Sequence, residues 1–212
     1  MLDVLIRAGQ LVTGSGVSEG NLGIKDGRIA GIFAVGELAP EAAETIDAAG
    51  KLVIPGVIDP HVHYRTFVSH HTDTPESASI SAAYGGVTTI LAMVGAGRPG
   101  DPIKEHPFYR HIETKGVQVA DDFGRLIEEN EKTSVIDFGI HWILYPDEAL
   151  IRQIPEAVKI GITSFKMFFG HLPIQGWLLD DSLVLTAMEL IAKSGGIAQA
   201  HAENGHIIAY MK

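Results

Sequence analysis

Gly56-Val57-Ile58-Asp59-Pro60-His61-Val62-His63 sets two histidines two residues apart at the end of an apolar run that starts at Lys51. Residues at i and i+2 on a strand point to the same side. The pattern predicts a strand over 51–58, broken by Pro60, that offers two imidazoles to one point from its carboxyl end. Two such rings can converge on a metal ion. Taken alone, the pair reads equally well as strand-end histidines bonded to backbone.

Downstream of that stretch, strands and helices alternate. The apolar runs Thr88–Val94, Val135–Leu144, Thr163–Phe169 and Ile197–His201 predict four further strands. Helices are expected between them. One covers Pro75–Tyr84, with Thr74 as its cap and Gly85-Gly86 as its stop. Gln118–Asn130 is amphipathic. Asp147–Lys159 contains Pro155 and should be kinked or split. Asp181–Lys193 has apolar residues at helical spacing and is stopped by Gly195-Gly196. Repeated βα units imply parallel strands with right-handed crossovers. Five such units fit the first part of a (β/α)8 barrel, which needs eight strands and about 250 residues. They fit a complete open five-stranded sheet as well.

Upstream, residues 1–50 look different. Leu2–Ile6, Gln10–Thr13, Asn21–Lys25 and Arg28–Phe33 are short strand-like runs, and Asp26-Gly27 between the last two is a hairpin signal. An Ala-rich connector, 40–44, leads to a short strand at Thr45-Ile46-Asp47. The division expected is a β-rich segment over 1–50 and an α/β segment over 51–212.

Composition narrows the chemistry. Of 212 residues, 46% are hydrophobic and 24 are Gly, which suits a folded α/β protein. The formal net charge of -10, from 16 Lys+Arg against 26 Asp+Glu, opposes general nucleic-acid binding. With no cysteine, disulfides and thiolate metal sites are excluded, so a metal would need His, carboxylate or modified Lys. Met1–Val12 lacks the layout of a signal peptide, and no apolar run reaches the length of a membrane span. A soluble cytoplasmic protein without a membrane partner is the expectation.

Two further residues sit where strands end. Lys166 lies in the otherwise apolar Thr163-Ser164-Phe165-Lys166-Met167-Phe168-Phe169. A lysine there is paired, reaches the surface, or is held neutral. A neutral amine can take up carbon dioxide as a carbamate, a carboxylate on a long arm. His201 closes Ile197-Ala198-Gln199-Ala200-His201 ahead of Ala202-Glu203-Asn204-Gly205, where Glu203 and Asn204 are either groups that orient ligands or solvated loop residues. His141 ends the third barrel-type strand and faces the same mouth. His70 and His71 read as loop residues, and His106, His111 and His206 as surface residues. Gly95-Ala96-Gly97-Arg98-Pro99-Gly100 is a poor match to a phosphate loop.

Ile58-Asp59-Pro60-His61-Val62-His63, Gly85-Gly86-Val87-Thr88-Thr89, Ser164-Phe165-Lys166 and His201-Ala202-Glu203-Asn204-Gly205 occur in that order. Together they resemble the cyclic amidohydrolases: the hydantoinase/dihydropyrimidinase branch, with allantoinases and dihydroorotases as relatives. The resemblance covers essentially the whole chain. It implies part of a β-sandwich followed by the first part of a TIM (β/α)8 barrel that holds two divalent metal ions, usually zinc. By that resemblance His61 and His63 bind the first ion, Lys166 bridges both as its N-carboxylated form, and His201 binds the second. The substrate implied is a small cyclic amide, a hydantoin or dihydropyrimidine, opened at its C–N bond by hydroxide held between the ions. A further His and the general-base Asp are expected beyond Lys212, so the chain reads as an N-terminal portion, inactive alone. The intact enzyme is expected to be a homo-oligomer, a tetramer. A half-open barrel would expose strand edges, so self-association is expected too.

Two positions depart from the branch pattern. Hydantoinases place a Tyr five residues after the bridging Lys to hold the oxyanion; here that residue is His171, a possible donor of the same hydrogen bond. Arg65 follows His63 by two residues, where dihydroorotases use an Arg for the substrate carboxylate; it reads as a substrate-binding or a structural residue. The alternatives are a non-catalytic family member acting through protein association, and another metal amidohydrolase such as a dihydroorotase, allantoinase or sugar deacetylase.

Overall fold

A computed structural model describes residues 1–64, 73–103, 106–169 and 177–211. They divide into two compact units, Met1–Gly56 and Val57–Lys212.

The first unit is one five-stranded sheet. It is built from β1 (Leu2–Thr13), β2 (Gly16–Lys25), β3 (Arg28–Ala34), β4 (Ala42–Asp47) and β5 (Leu52–Val53), in the order β3-β2-β1-β4 with β5 also paired to β1. Asp26 and Gly27 both have positive φ, 50° and 69°. That is the two-residue turn whose twist matches the flanking strands β2 and β3. The two runs expected over 2–6 and 10–13 are one strand. β1 carries a bulge between Ile6 and Gly9, with Ala8 at φ 55° and its N–H on Asn21 Oδ1 at 3.0 Å. The bulge is where the neighbour of β1 changes from β4 to β5.

The single strand expected over 51–58 is corrected by the structure. Leu52–Val53 belong to the first sheet, whereas β6 (Val57–Val62) opens a second one. Pro55, with no N–H to give to a ladder, and Gly56 separate them. Nor does Pro60 end the strand: β6 runs through it to Val62. An edge strand tolerates the missing donor, and the register slips between Asp59 and Val62.

The second unit continues with α1 (Pro75–Tyr84), β7 (Val87–Gly95), β8 (Arg98–Ile103), β9 (His106–Glu113), α2 (Val119–Thr133), β10 (Asp137–Ile143), α3 (Glu148–Ile151), α4 (Ile154–Lys159), β11 (Ser164–Phe168), α5 (Asp181–Lys193), β12 (Ile197–His201) and α6 (Gly205–Met211). Thr74 caps α1 in a reciprocal box with Ser77. Pro155 falls in the first turn of α4, where its missing N–H costs nothing, and the segment expected to be kinked or split is split into two short helices. The antiparallel hairpin β8–β9 lies where no strands were expected. No helix among the described residues is long and apolar enough to cross a membrane.

All five strands of the second sheet are parallel, in the order β6-β7-β10-β11-β12. Each parallel strand lies beside the next in the sequence, with no reversal. Right-handed crossovers that all step in one direction put every helix on the same face. A doubly wound sheet would reverse at a switch point. The sheet is also curled. His141 Nε2 on β10 reaches the Pro60 carbonyl on β6 at 3.0 Å, across β7. In a flat sheet strands two places apart stand about 9.5 Å from each other, too far for that bond.

The helix-covered face holds the core. Trp142 is fully buried between the Phe123 and Phe165 rings, at centroid distances of 5.6 and 5.8 Å. Ile90, Ala92, Leu144 and Met167 pack into the same layer. Register puts a different set on the opposite face: Met93 beside His141, His141 beside Ser164, Lys166 beside Gln199, and Phe168 beside His201. Polar side chains thus gather on the concave side, towards the carboxyl ends of the strands.

Candidate metal centre

β6 delivers its histidines as the i, i+2 spacing requires. His61 Nε2 and His63 Nε2 stand 3.1 Å apart, with ring centroids 5.1 Å apart and planes at 49°. Asp59 Oδ1 accepts the His61 backbone N–H at 3.1 Å and fixes the strand end. The next residue anchors it from below. Tyr64 is fully buried and donates its hydroxyl to Asn130 Oδ1 at 2.5 Å, while Asn130 Nδ2 donates to the Leu126 carbonyl at 2.8 Å. Burial pushes the Tyr64 phenol up to about 12, against the pull of the Asn130 bond. Tyr64→Phe should leave the Asn130 oxygen buried without a donor, costing about 1–3 kcal/mol. A denaturant midpoint unchanged in that variant would show that the bond anchors nothing.

Lys166 is half-buried on β11, its Nζ 5.5 Å from the centre of the Phe168 ring. It is near enough for its charge to act on two histidines. His63 is held below the ordinary histidine range by desolvation first, then by the charges of His61 and Lys166. His141, buried on β10, is lowered by burial first; the bond to the Pro60 carbonyl opposes this, and His61 and Lys166 add to it. Both shifts favour neutral imidazole, the form that binds a metal.

His201 stands apart from that pair. Its ring lies 5.5 Å from the Phe168 ring, and its Nε2 meets Glu203 Oε1 at 2.6 Å. Phe168 therefore has Lys166 and His201 as neighbours. Asn204 serves as a helix cap, accepting the Ile207 N–H at 3.0 Å to start α6. No group of three or more His, Asp or Glu able to hold a metal ion is present among the described residues. Arg65 and His171, the candidate substrate-binding residues, lie outside the described residues, as do His70 and His71.

The residues that are gathered fit a cation in part. Nitrogens bound tetrahedrally at about 2.0–2.1 Å from zinc stand about 3.3–3.4 Å apart. The separation of the His61 and His63 nitrogens is close to that, so this pair is shaped as two arms of such a site. Lys166 supplies charge beside it, and His201 would have to leave Glu203 to add a further arm.

Sequence reasoning passed over Gln199 and Ser164. Gln199 donates to His141 Nδ1 at 3.1 Å and to Ser164 Oγ at 2.7 Å. The signal was available: in Ile-Ala-Gln-Ala-His, strand alternation puts Gln199 on the face of His201.

No family model matches the chain. A D-hydantoinase from Ralstonia pickettii is 35% identical over 214 residues, covering 100% of this chain and 42% of the relative. A D-hydantoinase from Rhizobium radiobacter is 36% identical over the same shares, 100% and 42%. A solved D-hydantoinase structure superposes with a TM-score of 0.78 at 33% identity, over 99% of this chain and 42% of that one. The chain therefore spans less than half the length of the relatives it matches. Over its whole length the chain is similar to hydantoinases in both sequence and backbone, which fits the cyclic amidohydrolase family.

Proposed function

We propose that this chain forms part of a metal-assisted hydrolase that opens the ring of a cyclic amide, a hydantoin or a dihydropyrimidine. The observation that carries this reading is the His61 and His63 nitrogen pair, 3.1 Å apart, with the Lys166 charge acting on it at the carboxyl ends of parallel strands. Sequence-order winding and the curl of the sheet support part of a (β/α)8 barrel, whose active sites form at that end. In this reading His61 and His63 would hold one divalent cation, zinc by the family resemblance, and His201 would help to hold a second. Lys166 would supply a carboxylate to both after its amine adds to carbon dioxide, forming an N–C bond and releasing a proton. Bound there, the cations would lower the pKa of water and polarise the ring carbonyl.

Hydrolysis adds the oxygen of water to the ring carbonyl carbon and breaks the C–N bond. The ring nitrogen takes one proton of the water, the carbonyl carbon becomes a carboxylate, and the second proton goes to solvent. The residues of this chain bind and orient. Phe168 shields the Lys166 arm on one side, and the lowered pKa of His63 favours the neutral imidazole that a cation needs. The family resemblance supports a cytoplasmic homo-oligomer, a tetramer, and leaves a role in substrate binding to Arg65 and His171.

The test combines metal analysis with a substrate panel. A protein that carries this chain at the full length of its relatives, supplied with zinc and bicarbonate, is expected to hold about two divalent cations per subunit. Hydantoin, dihydrouracil, allantoin and dihydroorotate are then offered, with ring opening followed by loss of ultraviolet absorbance. Turnover of hydantoin or dihydrouracil supports the reading. Turnover of dihydroorotate alone moves the substrate to the acidic ring. Protein that takes up no metal is the non-catalytic relative instead.

A further inference from the structure

One run of hydrogen bonds crosses the concave face of the parallel sheet. The Pro60 carbonyl on β6 meets His141 Nε2 on β10 at 3.0 Å. His141 Nδ1 meets Gln199 Nε2 on β12 at 3.1 Å, and the same amide nitrogen donates to Ser164 Oγ on β11 at 2.7 Å. Four of the five strands are thereby joined in addition to their ladders, β10, β11 and β12 through side chains and β6 through a backbone carbonyl.

The donor and acceptor roles close on one assignment. An amide nitrogen only donates, so His141 Nδ1 accepts and carries no proton. A backbone carbonyl only accepts, so His141 Nε2 carries the proton and donates. Both hydrogens of the Gln199 amide are then used, one on His141 and one on Ser164. The alternative, with the Gln199 oxygen turned towards Nδ1, needs a doubly protonated ring, and the burial of His141 opposes that charge. Pro60 has no N–H and lies where the β6 register slips, so the ladder holds this part of the strand weakly. Its carbonyl is the atom directly ahead of His61 in the chain.

We propose that His141 and Gln199 are positioning residues: Gln199 fixes the ring proton of His141 on Nε2, and that N–H clamps the Pro60 carbonyl and so sets the separation of His61 and His63. The proposal rests on reading those two histidines as cation ligands. It adds that their placement is set from β12, four places away in the sheet.

The test uses the full chain and two substitutions that divide the ring's functions. His141→Gln keeps a donor where Nε2 was, facing Pro60, and gives up the acceptor. His141→Asn keeps an acceptor where Nδ1 was, facing Gln199, and gives up the donor. Zinc affinity, read by competition with a chromophoric chelator, should stay within about threefold of wild type in His141→Gln and fall about 10–100-fold in His141→Asn. A role in packing alone would affect both alike, so equal affinities overturn the proposal. A second readout needs no metal. Long-range 1H–15N correlation spectra of wild type should place the His141 proton on Nε2, and Gln199→Leu should abolish that preference. A proton on Nδ1 in wild type overturns the proposal, even if a variant fails to fold. If wild type binds no zinc, the functional reading fails by itself. The relay is then decided by the His61 and His63 ring nitrogens, whose shifts should move in His141→Asn and not in His141→Gln.

Discussion

In a protein that carries this chain at the full length of its relatives, Lys166→Ala should keep the fold, bind less metal and lose ring-opening activity by about 10³-fold or more. The size follows from the role proposed for the cations. Charge stabilisation by bound metal is worth several kcal/mol in the transition state, and each 1.36 kcal/mol is about tenfold in rate. The fold should survive because Lys166 is only half-buried and projects to the concave face, away from the packed layer of Trp142 and Phe165. Removal of its charge also relieves His63 and His141, both of which it now disfavours as cations. Two controls isolate the carbamate from the amine. Wild type prepared free of bicarbonate and metal should be inactive until both are restored. Short carboxylates such as acetate or propionate, which can occupy the space of the missing arm, should restore part of the turnover in the variant. A Lys166→Ala protein with full metal content and wild-type turnover would end the carbamate assignment.

Trp142→Ala should destabilise the second unit by about 3–5 kcal/mol, the cost of removing a fully buried large aromatic. For a unit of this size that is a drop of roughly 6–20 °C in Tm. Trp142 has no solvent exposure and meets Phe123 and Phe165 edge-on or tilted, so the cavity would open between β10, β11 and α2. Its indole Nε1 is buried with no hydrogen-bond partner among the described residues. That donor already costs stability, so Trp142→Phe should lose much less than Trp142→Ala, because it removes the orphan N–H while keeping a ring. A calorimetric scan separates the cases, and equal losses for Ala and Phe would show that the ring contacts contribute little.

Much of this was legible in the sequence because it is set locally. α1 and α5 fall on Pro75–Tyr84 and Asp181–Lys193, the expected limits, since each has an acceptor side chain at its start and paired or single Gly at its end. β12 likewise matches Ile197–His201. The strand expected over 51–58 was misread because Leu52–Ile54 and Val57-Ile58 are apolar on both sides of Pro55-Gly56, whose turn signal separates them. Pro60 inside a strand was hidden, since its tolerance depends on β6 being an edge. At the site, the spacing of His61 and His63 foretold their pairing, which is a property of one strand. The bond from His141 to Pro60 depends on how strongly the sheet curls across β7, and no short window of sequence encodes that. The contact between His201 and Glu203 is local, yet a carboxylate two residues from a histidine has no preferred partner until the loop is built.

The order β6-β7-β10-β11-β12 also bears on how the chain is made. A ribosome releases these strands in the same sequence in which they stand side by side. Each newcomer finds its template already in place and docks without threading past a later one. The sheet can thus grow at one margin during synthesis, with each helix covering the strand just laid down. The cost falls on the growing margin. β12 presents an open row of backbone groups, with Ile197 66% exposed beside it. Until something occupies that row, the nascent product is adhesive at that margin as well as along β6, and chaperone capture during translation would follow the margin as it moves.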